Sequence, residues 1–309
     1  MLAYLVRRLA YSVFVLWGAV TIVFVVLRVV PGDPALVILG PDADRAQVLR
    51  LRHTMGLDQP LLVQYGHYLI DVVQLHFGTS IRLGGDAMGQ ILLRLPATAE
   101  LAVAAVVFAV TVGIGLGTAA AVRPNTWLDR AISVFTLVIQ STPTFWAGLV
   151  LLLVFARQLR VLPSEGAHGW QNVILPAITL GLGFLAMVTR LTRSGLLEVS
   201  NEPYLSTVRA KGLGERIVIF PHAMRNALIP VVTVIGLYLG SVLGGTVVIE
   251  TVFSWPGAGR LIADSISYRD YNVVQAGVIL IAALFVVVNL VVDLLYGLID
   301  PRVRLGGER

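Results

Sequence analysis

Six long stretches of this sequence carry no Asp, Glu, Lys or Arg: residues 9–27, 101–122, 131–156, 173–189, 227–249 and 271–292. Each is close to the roughly 20 residues an α-helix needs to cross a bilayer. A segment in lipid must satisfy its own backbone polar groups, so only helices and closed barrels span. Barrel strands alternate apolar with polar side chains, whereas these runs are continuous, so they predict helices. Only 13% of residues are charged and 57% are hydrophobic, against about 25% charged in soluble domains. A single soluble domain and a disordered chain are both excluded. The expected fold is all-α and polytopic, six transmembrane helices in one domain over residues 1–309. The first run exceeds a signal-peptide core and no small-residue cleavage site follows, so it reads as a retained anchor.

Arginine placement sets the expected topology. With the N-terminus inside, Arg7, Arg8, Arg123, Arg130, Arg190, Arg193, Arg209, Lys211, Arg216, Arg225, Arg302, Arg304 and Arg309 all fall on the inner side. The short outer loops hold only Arg157, Arg160, Arg260 and Arg269. That asymmetry is the positive-inside bias, and it places both termini in the cytoplasm. The net charge of +5 then follows from membrane topology, and nucleic acid is not an expected partner. Three segments exceed simple turns. Residues 31–96 form a long outer segment with an amphipathic helix predicted near 61–75. Residues 190–226 form the most charged inner loop, and 251–270 form a second outer segment.

The chemistry inside the spans is sparse. Gln140, Ser141, Thr142 and Thr144 cluster around Pro143 in the third run, Tyr238 and Ser241 lie in the fifth, and Asn289 lies in the sixth. Polar side chains at membrane depth face a bundle interior or a wet cavity. These seven are therefore candidate lining of a translocation pathway, with interhelical hydrogen bonding and a proline kink as the equal alternative. No acid or base sits mid-span, which argues against a proton- or sodium-driven carrier. Gly113 and Gly117, and Gly236, Gly240 and Gly244, have helix-packing spacing. There is no cysteine and no P-loop, and the five histidines lack metal-ligand spacing, so no metal, cofactor or catalytic residue is expected in this chain.

The inner loop reads as a projection. Pro203 suits the first turn of a helix running to Lys211, and Gly212 and Gly214 end it. A second helix over 215–225 leads into the fifth span. On composition alone, a solvated connector at the lipid surface is the simpler reading.

Motifs along the whole chain change that weighing. They are Arg28-Val-Val-Pro-Gly-Asp-Pro34, Met55-Gly-Leu-Asp-Gln-Pro60, Pro96-Ala-Thr-Ala-Glu100, Ser141-Thr-Pro-Thr-Phe-Trp146, Arg209-Ala-Lys-Gly212, Arg225-Asn-Ala-Leu-Ile-Pro230, Glu250-Thr-Val-Phe-Ser-Trp-Pro-Gly257 and Asp300-Pro-Arg302. In this order they resemble the B-type permease of the dipeptide/oligopeptide/nickel family of ATP-binding-cassette importers. The Glu-Ala-Ala of the general loop signature is replaced by Ser206-Thr-Val208, so no docking role passes to a glutamate there.

The resemblance implies a type I importer permease fold that forms half of a pathway in a bacterial cell membrane. It implies a homologous second permease, two ATP-binding domains (separate or fused) that hold ATP and Mg, and an extracytoplasmic substrate-binding protein, soluble or a lipoprotein. Arg209, Ala210, Lys211, Gly212, Leu213 and Glu215 are then the expected ATPase-docking residues. Asp42, Asp44, Arg45, Arg50 and Arg52 of the long outer segment are candidate contacts for the binding protein, with a purely structural cap as the alternative. Short peptides are the expected substrate; nickel, haem, glutathione or an opine is the alternative. A stand-alone carrier is the main rival, and a scaffold or exporter subunit the second.

Overall fold

The apolar runs fold as helices, as their period and length require. The computed structural model describes residues 2–29, 34–40, 43–54, 56–164, 166 and 169–299. Its helices are α1 (Leu2–Val29), α2 (Pro34–Leu39), α3 (Arg45–Thr54), α4 (Leu61–Val73), α5 (Ala87–Val122), α6 (Trp127–Ser141) and α7 (Thr144–Leu151). After α7 a π-helix runs over Leu152–Gln158. Then come α8 (Trp170–Ser200), α9 (Pro203–Ala210), α10 (Glu215–Ile217), a π-helix over Val218–Ala223, α11 (Met224–Ala227), α12 (Ile229–Val252), α13 (Ala258–Ser267) and α14 (Tyr271–Ile299). Among the described residues, extended pairing is limited to one isolated bridge between Thr79 and Asp86.

Five of these helices are long and apolar enough to cross a membrane: α1, α5, α8, α12 and α14. The expected third span is different. Residues 131–156 do not form one straight helix; α6 and the α7 segment meet at 108°. Pro143 is the cause. Proline lacks a backbone N–H and pushes the preceding residue out of helical geometry, and Thr142 is extended at φ −94°, ψ 126°. Counted as one bent span, this pair makes the sixth. The proline kink weighed for this run is present, as a sharp break in the span.

The chain divides into two compact units. One takes residues 1–96 and 257–290, the other 97–256 and 291–309. In the first, Val20 and Phe24 of α1, Tyr68 of α4, Ile91 of α5, Ile262 of α13 and Val273 of α14 share a core. The predicted amphipathic helix is α4, tied to α1 by Thr21 and Tyr65, whose hydroxyls lie 2.6 Å apart. Burial pushes the Tyr68 phenol up to about 12, with Arg28 pulling the other way, so this phenol is neutral at physiological pH. Asp270 is buried beside Ser80, whose hydroxyl donates to it.

In the second unit α8 is the central element, packed against α6, α7, α11 and α12. Two glycines of the expected packing pair press α5 onto it. A Cβ at Gly113 would lie 2.9 Å from Val188, and one at Gly117 would lie 2.5 Å from the Thr189 carbonyl. Gly181 returns the contact, with a Cβ position 2.7 Å from the Ala105 carbonyl. Gly244 behaves otherwise, since nothing lies within 4 Å of its Cβ position. Gly117→Ala is therefore expected to force the two backbones apart at a cost of about 1–3 kcal/mol. A lowered unfolding midpoint in detergent, with Gly244→Ala unchanged, is the result that checks it.

Candidate functional site

The segment between α8 and α12 forms a projection with a packed base and a free tip. Leu196 of α8 buries with Leu205 of α9, Val218 and Ala223 of the following π-helix, and Met224 and Ala227 of α11. Gly195 permits this approach, since a Cβ there would stand 2.7 Å from the Ala227 carbonyl. Tyr204 adds a polar brace: its hydroxyl donates to the His222 carbonyl at 3.3 Å and accepts from Asn226 at 3.0 Å. Pro203 opens α9 at a first-turn position, as expected. The second expected helix, 215–225, forms as α10, a π-turn around Pro221, and α11. The wider π-turn accommodates a proline that cannot donate into the helical ladder.

At the tip, Arg209, Ala210, Lys211, Gly212, Leu213 and Glu215 are all exposed. Gly212 has φ +76° and its N–H closes onto the Arg209 carbonyl at 2.9 Å. That is the left-handed turn with which helices commonly end, and glycine adopts it without Cβ strain. Arg209 pairs across the turn with Glu215 at 2.9 Å, so the two charges fix the tip rather than standing free.

The base of the projection is fastened to α6. Arg193 of α8 grips Asp129 with a two-pronged contact, Nε to Oδ1 at 2.6 Å and Nη2 to Oδ2 at 2.8 Å. Asp129 is only 3% exposed, and its Oδ2 also accepts the Asn125 N–H at 2.9 Å. One turn nearer the middle of α8, Arg190 donates from Nη1 to the side-chain amide oxygen of Gln140. Gln140 stands just before the break at Thr142 and Pro143. Two arginines on α8 therefore hold both ends of α6, and between them lies a groove of about 470 Å³.

The other pathway candidates are distributed differently. Ser141 and Thr142 are at the break, and their hydroxyls donate back to the Leu137 and Val138 carbonyls at 3.0 and 2.7 Å. They serve the last turn of α6, whose carbonyls have no intrahelical partner. Thr144 opens α7 and is exposed. Tyr238 stacks on Phe184 with ring centres 3.9 Å apart and donates to the Leu180 carbonyl at 3.0 Å. It is thus part of the contact between α8 and α12. Ser241 is exposed on α12 and donates to the Tyr238 carbonyl at 3.0 Å. Asn289 lies in the other compact unit, where its amide donates to the Phe285 carbonyl at 2.8 Å.

Of the outer-segment candidates, Asp44 caps α3 through the Ala46 N–H at 3.4 Å. Arg45, Arg50 and Arg52 are exposed along the same helix, where Val48 is its buried residue. Asp42 lies outside the described residues, as does Asp300-Pro-Arg302.

Two family models match this chain. Residues 113–305 match the binding-protein-dependent transport system inner membrane component, and residues 1–102 match the N-terminal part of such a membrane component. The chain belongs to this permease family. The glutathione transport system permease protein GsiC of Escherichia coli strain K12 is 43% identical over 98% of this chain and 99% of its own length. The dipeptide transport system permease protein DppB of Alkalihalophilus pseudofirmus is 40% identical over 98% of this chain and all of its own length. Two solved structures share the fold at 18% identity: an amino acid ABC transporter with histidines, at a TM-score of 0.52, and the MetNI methionine ABC transporter, at 0.55. Each covers 69% of this chain, and the matches take in 94% and 95% of those chains.

The permease is thus a multi-pass membrane subunit of an ATP-binding-cassette importer, and its part in that importer is transport. Several of its motif residues prove to be architecture. Glu250, 0% exposed, accepts the Thr98 hydroxyl at 2.7 Å. Trp255 donates from its indole to the Ala97 carbonyl at 2.9 Å. The Pro96–Glu100 and Glu250–Gly257 motifs therefore lock together. Sequence reasoning missed Asp129 entirely and treated Arg193 as a topology marker alone. An acid placed three residues after Thr126 is a helix-start signal, but its partner 64 positions on has no signature in one sequence.

Proposed function

We propose that the permease forms half of a translocation pathway for short peptides, of the dipeptide or glutathione class, handed over by an extracytoplasmic binding protein. The observation that carries this reading is the similarity, over nearly the full chain, to permeases named for dipeptide and for glutathione transport. Both ligands are small carboxylate-bearing peptides. Two ATP-hydrolysing subunits dock from the cytoplasm on the tip from Arg209 to Glu215, whose exposure and glycine turn support that role. Their closure pushes a projection with a buried base, and α8 and α12, which flank it, move in response. Both termini lie in the cytoplasm of a bacterial cell, and a homologous second permease completes the pathway.

The assembled importer reconstituted in liposomes tests this. Uptake of dialanine or glutathione is expected only with ATP inside the ATPase-bearing side and with the binding protein present. Transport by this chain alone, without ATP, would return the stand-alone carrier to favour.

The exposed arginines of α3 serve the binding protein in this scheme. Arg45→Glu combined with Arg50→Glu is expected to weaken stimulation of ATP hydrolysis by the binding protein, while hydrolysis without it stays unchanged. Full stimulation in that variant would leave the long outer segment as a cap.

A further inference from the structure

The groove between α6 and α8 contains a cation, Arg190, that makes no ion pair among the described residues. The lining of the groove includes Ser133 and Thr136 of α6 and Met187, Arg190, Leu191 and Ser194 of α8. Arg193 is spent on Asp129. Asp129 is in turn covered by that guanidinium, by the Asn125 N–H and by the Ser133 hydroxyl. Arg190 makes no ion pair with a described residue; its contact is with the neutral amide of Gln140. A guanidinium has five N–H donors, and that contact uses one nitrogen.

Arg190 is the first charged residue after the 173–189 run of α8, on its inner side, and its side chain is exposed where it lines the groove. A charge at that level faces water or a cavity rather than lipid. The nearby hydroxyls of Ser194 and Thr136 turn back onto the Arg190 and Ser133 carbonyls, so they neither neutralise the cation nor compete for what it would bind. A guanidinium presents parallel N–H groups to a carboxylate.

We propose that Arg190 is a substrate-contacting residue of the pathway, which holds the terminal carboxylate of a peptide in the groove between α6 and α8. The inference rests on the peptide reading above. It also assigns Gln140 a purpose, as the residue that aims the guanidinium.

The experiment uses the complete importer in nanodiscs, without the binding protein, so that the permease itself is read. Equilibrium binding of dialanine is compared with that of dialanine amide, which lacks the carboxylate charge. One charge-assisted contact is expected to favour dialanine about tenfold. Arg190→Gln should erase that preference by weakening dialanine alone, and Arg190→Lys should keep part of it. A preference that survives Arg190→Gln overturns the proposal. Equal weakening of both ligands also overturns it, because a mere brace between helices would act on both. Uptake of dialanine and glutathione is measured in parallel in liposomes, with the binding protein and ATP supplied. If the wild-type importer takes up neither, the peptide reading falls and this inference with it. If it takes up dialanine while Arg190→Gln keeps the wild-type preference, only the inference falls.

Discussion

Asp129→Ala is expected to destabilise the permease by about 3–5 kcal/mol, because it strands the Arg193 guanidinium beside a buried site built for a carboxylate. The contact is two-pronged, and the acid is only 3% exposed. Removing either partner should therefore cost far more than loss of a surface pair, which is worth about 0–1 kcal/mol. The measurement is the thermal unfolding midpoint of the purified complex in detergent, with yield as a second readout. A double change, Asp129→Leu with Arg193→Met, is expected to recover most of the loss, because a matched apolar pair leaves no charge unpaired. If the two single variants unfold like the wild type, the pair is not what fastens α6 to α8. If the double variant is stable but transports poorly, the pair serves movement more than stability.

Gly212→Val is expected to reduce uptake at least tenfold while the subunits still co-purify. A β-branched residue at φ +76° is a backbone outlier, and the turn would open to relieve it. Nothing stands within 4 Å of the Cβ position, so the effect arises from backbone conformation and from the shape of the tip. Gly214→Val is the control. That glycine has φ −67° and ψ 150°, which any residue adopts, and open space around it. It is expected to transport nearly normally. Full uptake by Gly212→Val would remove the tip from the coupling path, whereas loss of subunit association would indicate docking without transmission.

These two sites also mark how far one sequence can be read. Helix existence and membrane depth were legible because they depend on composition over a window of about 20 residues. The short helix after Pro203, and its stop near Gly212, were legible because caps are local. By composition the two glycines at the tip looked alike; the resemblance singled out Gly212, and the backbone supplies the reason. The cluster at Gln140–Thr144 read equally as pathway lining and as hydrogen bonding around a proline kink. Two of its hydroxyls close the end of α6, because a helix stopped by Pro143 leaves carbonyls that need donors.

The sequence by itself determined the class: an all-α membrane chain without a P-loop motif, with a charged loop and a recognisable family order of motifs. Those properties are additive along the chain, so they survive without knowledge of what touches what. The tertiary structure alone decided the 108° turn in the third span, the Asp129–Arg193 fork and the locking of Thr98 onto Glu250. It also decided that Arg190 meets the Gln140 side chain and makes no ion pair with a described residue. The turn follows from Pro143, but the side-chain contacts depend on residues tens to more than a hundred positions apart being brought within about 3 Å, and helix packing alone sets which residues meet.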